Sequence, residues 1–332
     1  MLLVVSKRIG DTIFCTPALH WLRASWPRLR IDVIAPSRAS ADVLRHNPAI
    51  DRLWERPGPW TRRRLARLSW DLALDLHGAK ETRRATRGFA APVAVCEVHG
   101  NAQSTVHQSE LVAAFVREIF PVARGAGEET SFEYEIFPQP SHDAAVDRLL
   151  QRHGADGAAL VGFHTGSYPI AARGRRLFRR PLVAEARNWP FERFVELGER
   201  LAASHPGLRV VLTGSSGEKE IARRYFRGRP WAIDLIGSTE VLELAALMRR
   251  LRCFVTGDTG PLHVACAMGT PVVALSGPPQ VPVRTGPHPP RADRVLLHEE
   301  PGLAHLEVPR VLDAVSRCMS PKRQAPALSA PG

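Results

Sequence analysis

The stretch from Cys253 to Pro279, CFVTGDTGPLHVACAMGTPVVALSGPP, constrains this chain most. A short apolar run, Cys253–Val255, meets the turn Thr256-Gly257-Asp258-Thr259-Gly260, then small and apolar residues with helical character, then a second β-like run, Val272–Leu275. Glycine lets a backbone turn sharply and lets a ligand approach closely. Asp258 or Thr259 can cap the new helix. The unpaired N–H groups of its first turn suit an anion such as a phosphate. By itself the pattern fits equally an ordinary strand–turn–helix of an α/β protein.

The N-terminus repeats the arrangement. Leu2–Val5 reads as a buried strand, Ile9-Gly10-Asp11 as a turn, and Thr12 to about Ser25 as a helix that Pro17 delays or kinks. Gly-Asp-Thr occurs in both halves, at 10–12 and 257–259, too short a match to establish a duplication. Further strands are expected at Arg30–Ala35 and Asp71–Leu76, with helices at Ser40–His46 and about 109–120. A linker is expected between about 135 and 158, with a helix over 143–153 beside it. A second series then follows, with strands at Leu160–His164, Arg209–Thr213, Ala232–Leu235, Cys253–Thr256 and Val272–Leu275. Its helices are expected at about 190–204, 217–227, 240–250 and 261–268. Strands alternating with helices imply parallel sheets covered on both faces, and two such series imply a cleft between them. The expected organisation is an N-terminal Rossmann-like domain over 1–145, a C-terminal one over 158–318, and a disordered tail over 319–332.

The chain has 332 residues, 44% of them hydrophobic, which suits a folded core. It has no apolar run of about 18 residues or more, the length a membrane span requires. Its five cysteines are odd in number and lack CxxC spacing, so reduced thiols are expected, with Cys15, Cys253 and Cys266 in the core. The formal net charge of +12 fits nucleic acid, an anionic membrane surface or phosphorylated ligands, and equally an arginine-rich composition without a specific partner. No HExxH, DxD pair or P-loop lysine appears, so no metal and no cofactor are expected.

In order and spacing, the segments MLLVVSKRIGDTIFCTPAL, DLALDLHG (71–78), VGFHTGS (161–167), RNWPFERFVELGERLA (187–202), VVLTGSSGEKEIA (210–222) and GDTGPLH resemble glycosyltransferase family 9, the heptosyltransferases of the bacterial lipopolysaccharide inner core. The resemblance spans about residues 1–318. It implies a GT-B fold of two Rossmann-like domains whose parallel sheets face a central cleft. It also implies an inverting transfer of heptose from ADP-heptose to an anionic glycolipid of the lipopolysaccharide core, in a cytoplasmic monomer that touches the inner membrane peripherally.

The resemblance assigns Asp11 as the base that deprotonates the acceptor hydroxyl. It places Arg187 where the family often has lysine, to neutralise the leaving diphosphate. The sugar-donor side comprises Thr165, Gly166, Ser167, Gly214, Ser215, Glu218, Asp258, Thr259, Gly260 and His263. Glu218 is expected near the ribose hydroxyls, and His263 either on phosphate or packed. The acceptor side comprises Lys7, Arg8, Gly10 and Arg63, the last within Arg62-Arg63-Arg64. His77-Gly78 ends a strand near the cleft without an assigned role. Trp189-Pro190 reads as helix initiation and packing. Ser167–Ala186 carries five arginines and reads as a loop particular to this lineage. Outside this reading stand a related enzyme with another sugar or acceptor, a catalytically silent module of the same shape, and a basic nucleic-acid-binding protein. The last would lack any recognisable binding motif.

Overall fold

The structure, a computed structural model, describes residues 1–98, 105–121, 132–166, 188–277 and 282–320. Eleven strands form two parallel sheets among the described residues. The first contains β1 (Leu2–Val4), β2 (Asp32–Ala35), β3 (Arg52–Glu55), β4 (Ala73–Asp75) and β5 (Val93–Val95), in the order β3-β2-β1-β4-β5. The second contains β6 (Leu160–His164), β7 (Arg209–Thr213), β8 (Ala232–Asp234), β9 (Leu251–Gly257), β10 (Val272–Ser276) and β11 (Arg294–His298), in the order β11-β10-β9-β6-β7-β8.

Each order reverses beside the first strand of its sheet. In the first sheet Val4 pairs with Ile34 on one side and Asp75 on the other, so the loops leaving β1 and β4 emerge side by side and diverge. In the second, His164 pairs with Thr256, which brings the loops after β6 and β9 together. A switch point of this kind opens a crevice at the carboxyl edge of a parallel sheet. The central strands are apolar runs without alternation because helices cover both faces. Leu2, Leu3 and Val4 are fully buried.

The helices are α1 (Ile9–Ile13), α2 (Thr16–Ser25), α3 (Arg38–Leu44), α4 (Pro59–Arg67), α5 (Lys80–Thr86), α6 (Gln108–Ile119), α7 (Pro140–Arg152), α8 (Phe191–Ser204), α9 (Lys219–Phe226), α10 (Val241–Met248), α11 (Gly260–Ala267), α12 (Pro282–Thr285) and α13 (Val308–Met319). The single N-terminal helix expected from Thr12 is two. Helix α1 begins earlier, at Ile9, and the chain restarts as α2 with Pro17 in its first turn, where a missing N–H breaks no helical hydrogen bond. The strands β3, β5 and β11 and the helices α4, α5, α12 and α13 were not expected from the sequence. Edge strands β3 and β5 contain exposed or half-buried residues throughout, which blurs a strand signal.

The two halves are packed against one another. Helix α1 abuts α11, and α10 packs on α3 and α7. One apolar cluster crosses the seam, joining Leu3, Ile13 and Phe14 to Leu262, Ala265 and Cys266. Arg38 on α3 pairs with Glu240, just ahead of α10. Arg249 reaches Asp143 on α7 at 2.7 Å. The stretch before α7 is extended, with Tyr134 buried and the amide of Glu135 donating to Thr16 Oγ1. All five cysteines are free, and Cys15, Cys253 and Cys266 are buried as expected.

Trp189-Pro190 is structural. Pro190 occupies the N-cap position of α8 without a side-chain capping bond, while the Trp189 ring meets Phe194 edge-on at 4.7 Å and its Nε1–H donates to the Leu306 carbonyl. Trp189 is 3% exposed, so Trp189→Ala opens a large cavity and is expected to cost about 3–5 kcal/mol in chemical denaturation.

Candidate active site

Four loops leave the two switch points, two from each. Asp11 follows β1 and His77 follows β4; Thr165-Gly166 follow β6, and Asp258–Gly260 follow β9. The N-terminal pair meets directly. Asp11 sits in the first turn of α1, its side chain 14% exposed. His77 Nε2 lies 2.8 Å from Asp11 Oδ2, and Ser6 Oγ donates to the same oxygen at 3.0 Å. Arg8 Nη1 stands 3.9 Å from it. Burial works against the charge on Asp11. The hydrogen bond and charge of His77, the charge of Arg8 and the Ser6 bond together outweigh it and hold the carboxyl below its usual range. Asp11 is therefore ionised at neutral pH.

Helices α1 and α11 approach closely through their glycines. A Cβ on Gly10 would stand 2.6 Å from His263 Cδ2, and one on Gly260 would stand 3.0 Å from Ile9 Cβ. Gly10, expected on the acceptor surface, is thus buried against the C-terminal half. His263 is buried, its ring edge-on to Phe14 at 4.6 Å. Its Nδ1 has no hydrogen-bond partner among the described residues. Its Nε2 is 3.9 Å from Asp258 Oδ1, beyond hydrogen-bond reach. Asp258 Oδ2 accepts from Thr285 Oγ1 at 2.8 Å.

Thr259 occupies the N-cap position of α11, but its side chain turns to Thr256 Oγ1 at 3.1 Å and caps no amide. The helix therefore starts without a side-chain cap, with Pro261 in its first turn. Such an end presents backbone N–H groups and the positive pole of the helix dipole.

Beside it, Thr165 and Gly166 are buried. The Glu218 carboxylate fills the space over Gly166, and its Oε2 accepts from Ser215 N at 2.6 Å and Ser215 Oγ at 2.8 Å. Glu218, expected at ribose hydroxyls, is 5% exposed and closes a capping box with Ser215 in the turn after β7, its carboxylate packed against Gly166 of the turn after β6. Gly214 lies in the second of these turns. Lys7 and Arg8 are solvent-facing, Lys7 pairing with Glu81 at 3.4 Å. Arg63 lies on α4 in the N-terminal half, exposed. Ser167, Arg187 and the arginine-rich segment 167–186 lie outside the described residues, as does the tail from 321 on. Among the described residues no group of three or more His, Cys, Asp or Glu is arranged to hold a metal, and no helix is long and apolar enough to cross a membrane.

A family model described as glycosyltransferase family 9 (heptosyltransferase) matches residues 171–313. The lipooligosaccharide heptosyltransferase 2 of Haemophilus ducreyi is 31% identical over 306 residues, spanning 84% of this chain and 83% of the relative. This chain belongs to glycosyltransferase family 9. Lipopolysaccharide heptosyltransferase 1 of Pseudomonas aeruginosa is 26% identical over 303 residues, 84% of this chain and 78% of that protein. The solved Escherichia coli ADP-heptose LPS heptosyltransferase II aligns with a TM-score of 0.73 at 18% identity, covering 96% of this chain and 98% of that one. The architecture is accordingly GT-B, as expected, and the family member is a glycosyltransferase.

Sequence reasoning left His77 without a role, and only its place after a strand hinted at the site. It also missed a histidine–aromatic seam. His107 stacks on His288 at 4.2 Å and meets Phe14 at 5.0 Å, while His288 Nε2 is 3.5 Å from Glu110. Burial pushes His107 down to about 2, helped by the neighbouring His288 and His263. It pushes His263 and His288 down to about 4. All three rings are neutral at pH 7. Unfolded histidine titrates near 6.5, so the unfolded chain takes protons first on acidification. Stability present above about pH 6.5 is therefore lost progressively toward pH 4. Thermal melts are expected to fall over that interval, and His288→Phe, which cannot ionise, is expected to flatten the fall.

Proposed function

We propose that this glycosyltransferase moves a heptose from ADP-heptose to an anionic glycolipid of the lipopolysaccharide core, inverting the anomeric centre in a single displacement without a metal. One observation carries the reading: an ionised, largely enclosed carboxylate, Asp11, lies in a helix packed against the uncapped N-terminus of α11. Asp11 takes the acceptor proton as the acceptor oxygen attacks the anomeric carbon. The bond to the diphosphate breaks, and the electron pair leaves on the phosphate oxygen. The amides at Thr259 and Gly260, the helix dipole and Arg187 stabilise that charge. Arginine in place of lysine presents a planar fork to the phosphates. Thr165, Gly166, Ser167, Gly214 and Ser215 line the nucleotide side, with the Glu218 carboxylate between the two turns. Asp258 lies by the sugar, and His263 packs behind it against Phe14. The name of the E. coli relative supports the choice of ADP-heptose, and those of the two curated relatives support the acceptor class.

On the acceptor side, α4 carries Trp60, Arg63, Arg64 and Arg67 at i, i+3, i+4 and i+7, hence on one face, with Leu65 buried opposite. Trp60 is 80% exposed, and Arg63 stands 5.9 Å over its ring. These arginines form no ion pair among the described residues. Lys7 and Arg8 add positive charge beside Asp11. Such a face suits an acidic glycolipid at the cytoplasmic surface of the inner membrane.

Asp11→Asn is expected to abolish heptose transfer to a core oligosaccharide while ADP-heptose binding by calorimetry is kept. Substantial turnover in that variant would remove Asp11 from the base role. Turnover is expected to survive chelation by EDTA. A double Arg63→Ala, Arg64→Ala variant is expected to raise the acceptor KM several-fold with kcat held, and to lessen the salt dependence of kcat/KM. An unchanged acceptor KM would move the acceptor elsewhere.

A further inference from the structure

We propose that His77 is a positioning residue for the transfer: its Nε2–H holds Asp11 Oδ2, leaving Oδ1 to receive the acceptor proton. This rests on the reading of Asp11 as the base.

The geometry carries it. Both hydrogen bonds to the Asp11 carboxylate, from His77 at 2.8 Å and from Ser6 at 3.0 Å, end on Oδ2. Arg8 also stands nearest that oxygen. An ionised carboxylate can only accept, so the ring nitrogen facing it carries the hydrogen. His77 is 4% exposed and its backbone is fixed independently. The amides of His77 and Gly78 both donate to Asp75 Oδ1, at 3.0 and 2.9 Å, and Asp75 is fully buried at the end of β4. Gly78 completes the turn at φ +70°, where a Cβ would stand 2.6 Å from the Cys96 carbonyl oxygen. Residue 77 thus cannot drift from the crevice without breaking the turn. Strands β1 and β4 are neighbours at the switch point, so the acid and its holder ride on adjacent strands of one rigid sheet.

The chemistry needs such a holder. Asp11 is a weak base, because the same contacts that keep it ionised lower its pKa. Its contribution must therefore come from placement. A reacting group held within the attack geometry gains far more than its basicity supplies, and a displacement of about 1 Å can cost on the order of 100-fold in rate. In the step, the acceptor O–H proton passes to Oδ1 and the acceptor oxygen bonds to the anomeric carbon. The bond to the diphosphate breaks with its electron pair leaving on phosphate. His77 keeps its hydrogen throughout.

The test compares His77→Phe, which fills the volume without a hydrogen-bond donor, with His77→Gln, whose amide can present an N–H at similar reach. His77→Phe is expected to lower kcat roughly 10- to 100-fold with the KM for ADP-heptose little changed. It is also expected to move the acid limb of the kcat/KM profile to higher pH, since burial of Asp11 persists while the contact that lowers its pKa is gone. His77→Gln is expected to recover most of the rate. A folded His77→Phe enzyme with wild-type kcat and acid limb, or a Gln variant as impaired as Phe, would overturn the proposal. Should the Phe variant not fold, 15N NMR of histidine-labelled wild-type protein decides. A His77 ring lacking hydrogen on Nε2 would be decisive against it, and an Nε2–H whose resonance moves in Asp11→Asn supports it. Asp11→Asn, assayed in parallel, separates the two readings. If it keeps turnover, the base assignment fails; if it is inactive while His77→Phe is normal, only the role of His77 fails.

Discussion

The candidate active site depends on how closely two short helices can approach. Helix α1 brings Asp11 and helix α11 brings the uncapped amides, and each has a glycine where the other presses on it. Gly10 lies under the His263 ring and Gly260 under Ile9. Side chains at these positions would wedge the halves apart, because packed interiors respond to added volume by shifting backbone. The two Gly-Asp-Thr turns therefore have different uses for their glycines. Gly257 ends β9, where a Cβ would make only an ordinary contact with the Leu275 carbonyl oxygen at 3.8 Å, while Gly10 sits at the contact itself.

The parallel sheets explain why the chemistry gathers there. Each sheet reverses its strand order once among the described residues, and the loops beside each reversal carry the polar residues of the crevice. The scaffold supplies proximity, and the local hydrogen bonds supply orientation. Asp75 fixes the turn that carries His77, and Glu218 fixes the turn after β7. Both carboxylates are buried and accept from backbone amides.

Much of this was legible in the chain itself. The apolar runs of β1, β6, β7, β9 and β10 stand out because buried parallel strands are uninterrupted in hydrophobicity, and the glycine turns after them mark the carboxyl edges. Of the four edge strands only β8 was legible, since half-exposed strands such as Arg52–Glu55 lack that signature. Pro17 pointed to a disturbance, but whether the helix would bend, start late or split depended on Cys15 and Thr16 finding room in the core. The pairing of His77 with Asp11 joins residues 66 positions apart and leaves no periodic trace. An acidic residue after a glycine turn serves a ribose or a capping box equally well, and Glu218, three residues after Ser215, has the capping-box spacing that the fold uses.

The apolar cluster that crosses the seam has a consequence for recombination among relatives. Phe14, His107 and Tyr134 from one half meet His263, His288 and Leu262 from the other without an intervening polar layer. A hybrid that joins the amino-terminal portion of this chain to the carboxyl-terminal portion of a relative would inherit mismatched surfaces at that boundary. Grafting these six side chains as a unit, rather than cutting wherever the chain is exposed, is what would let such hybrids keep their shape.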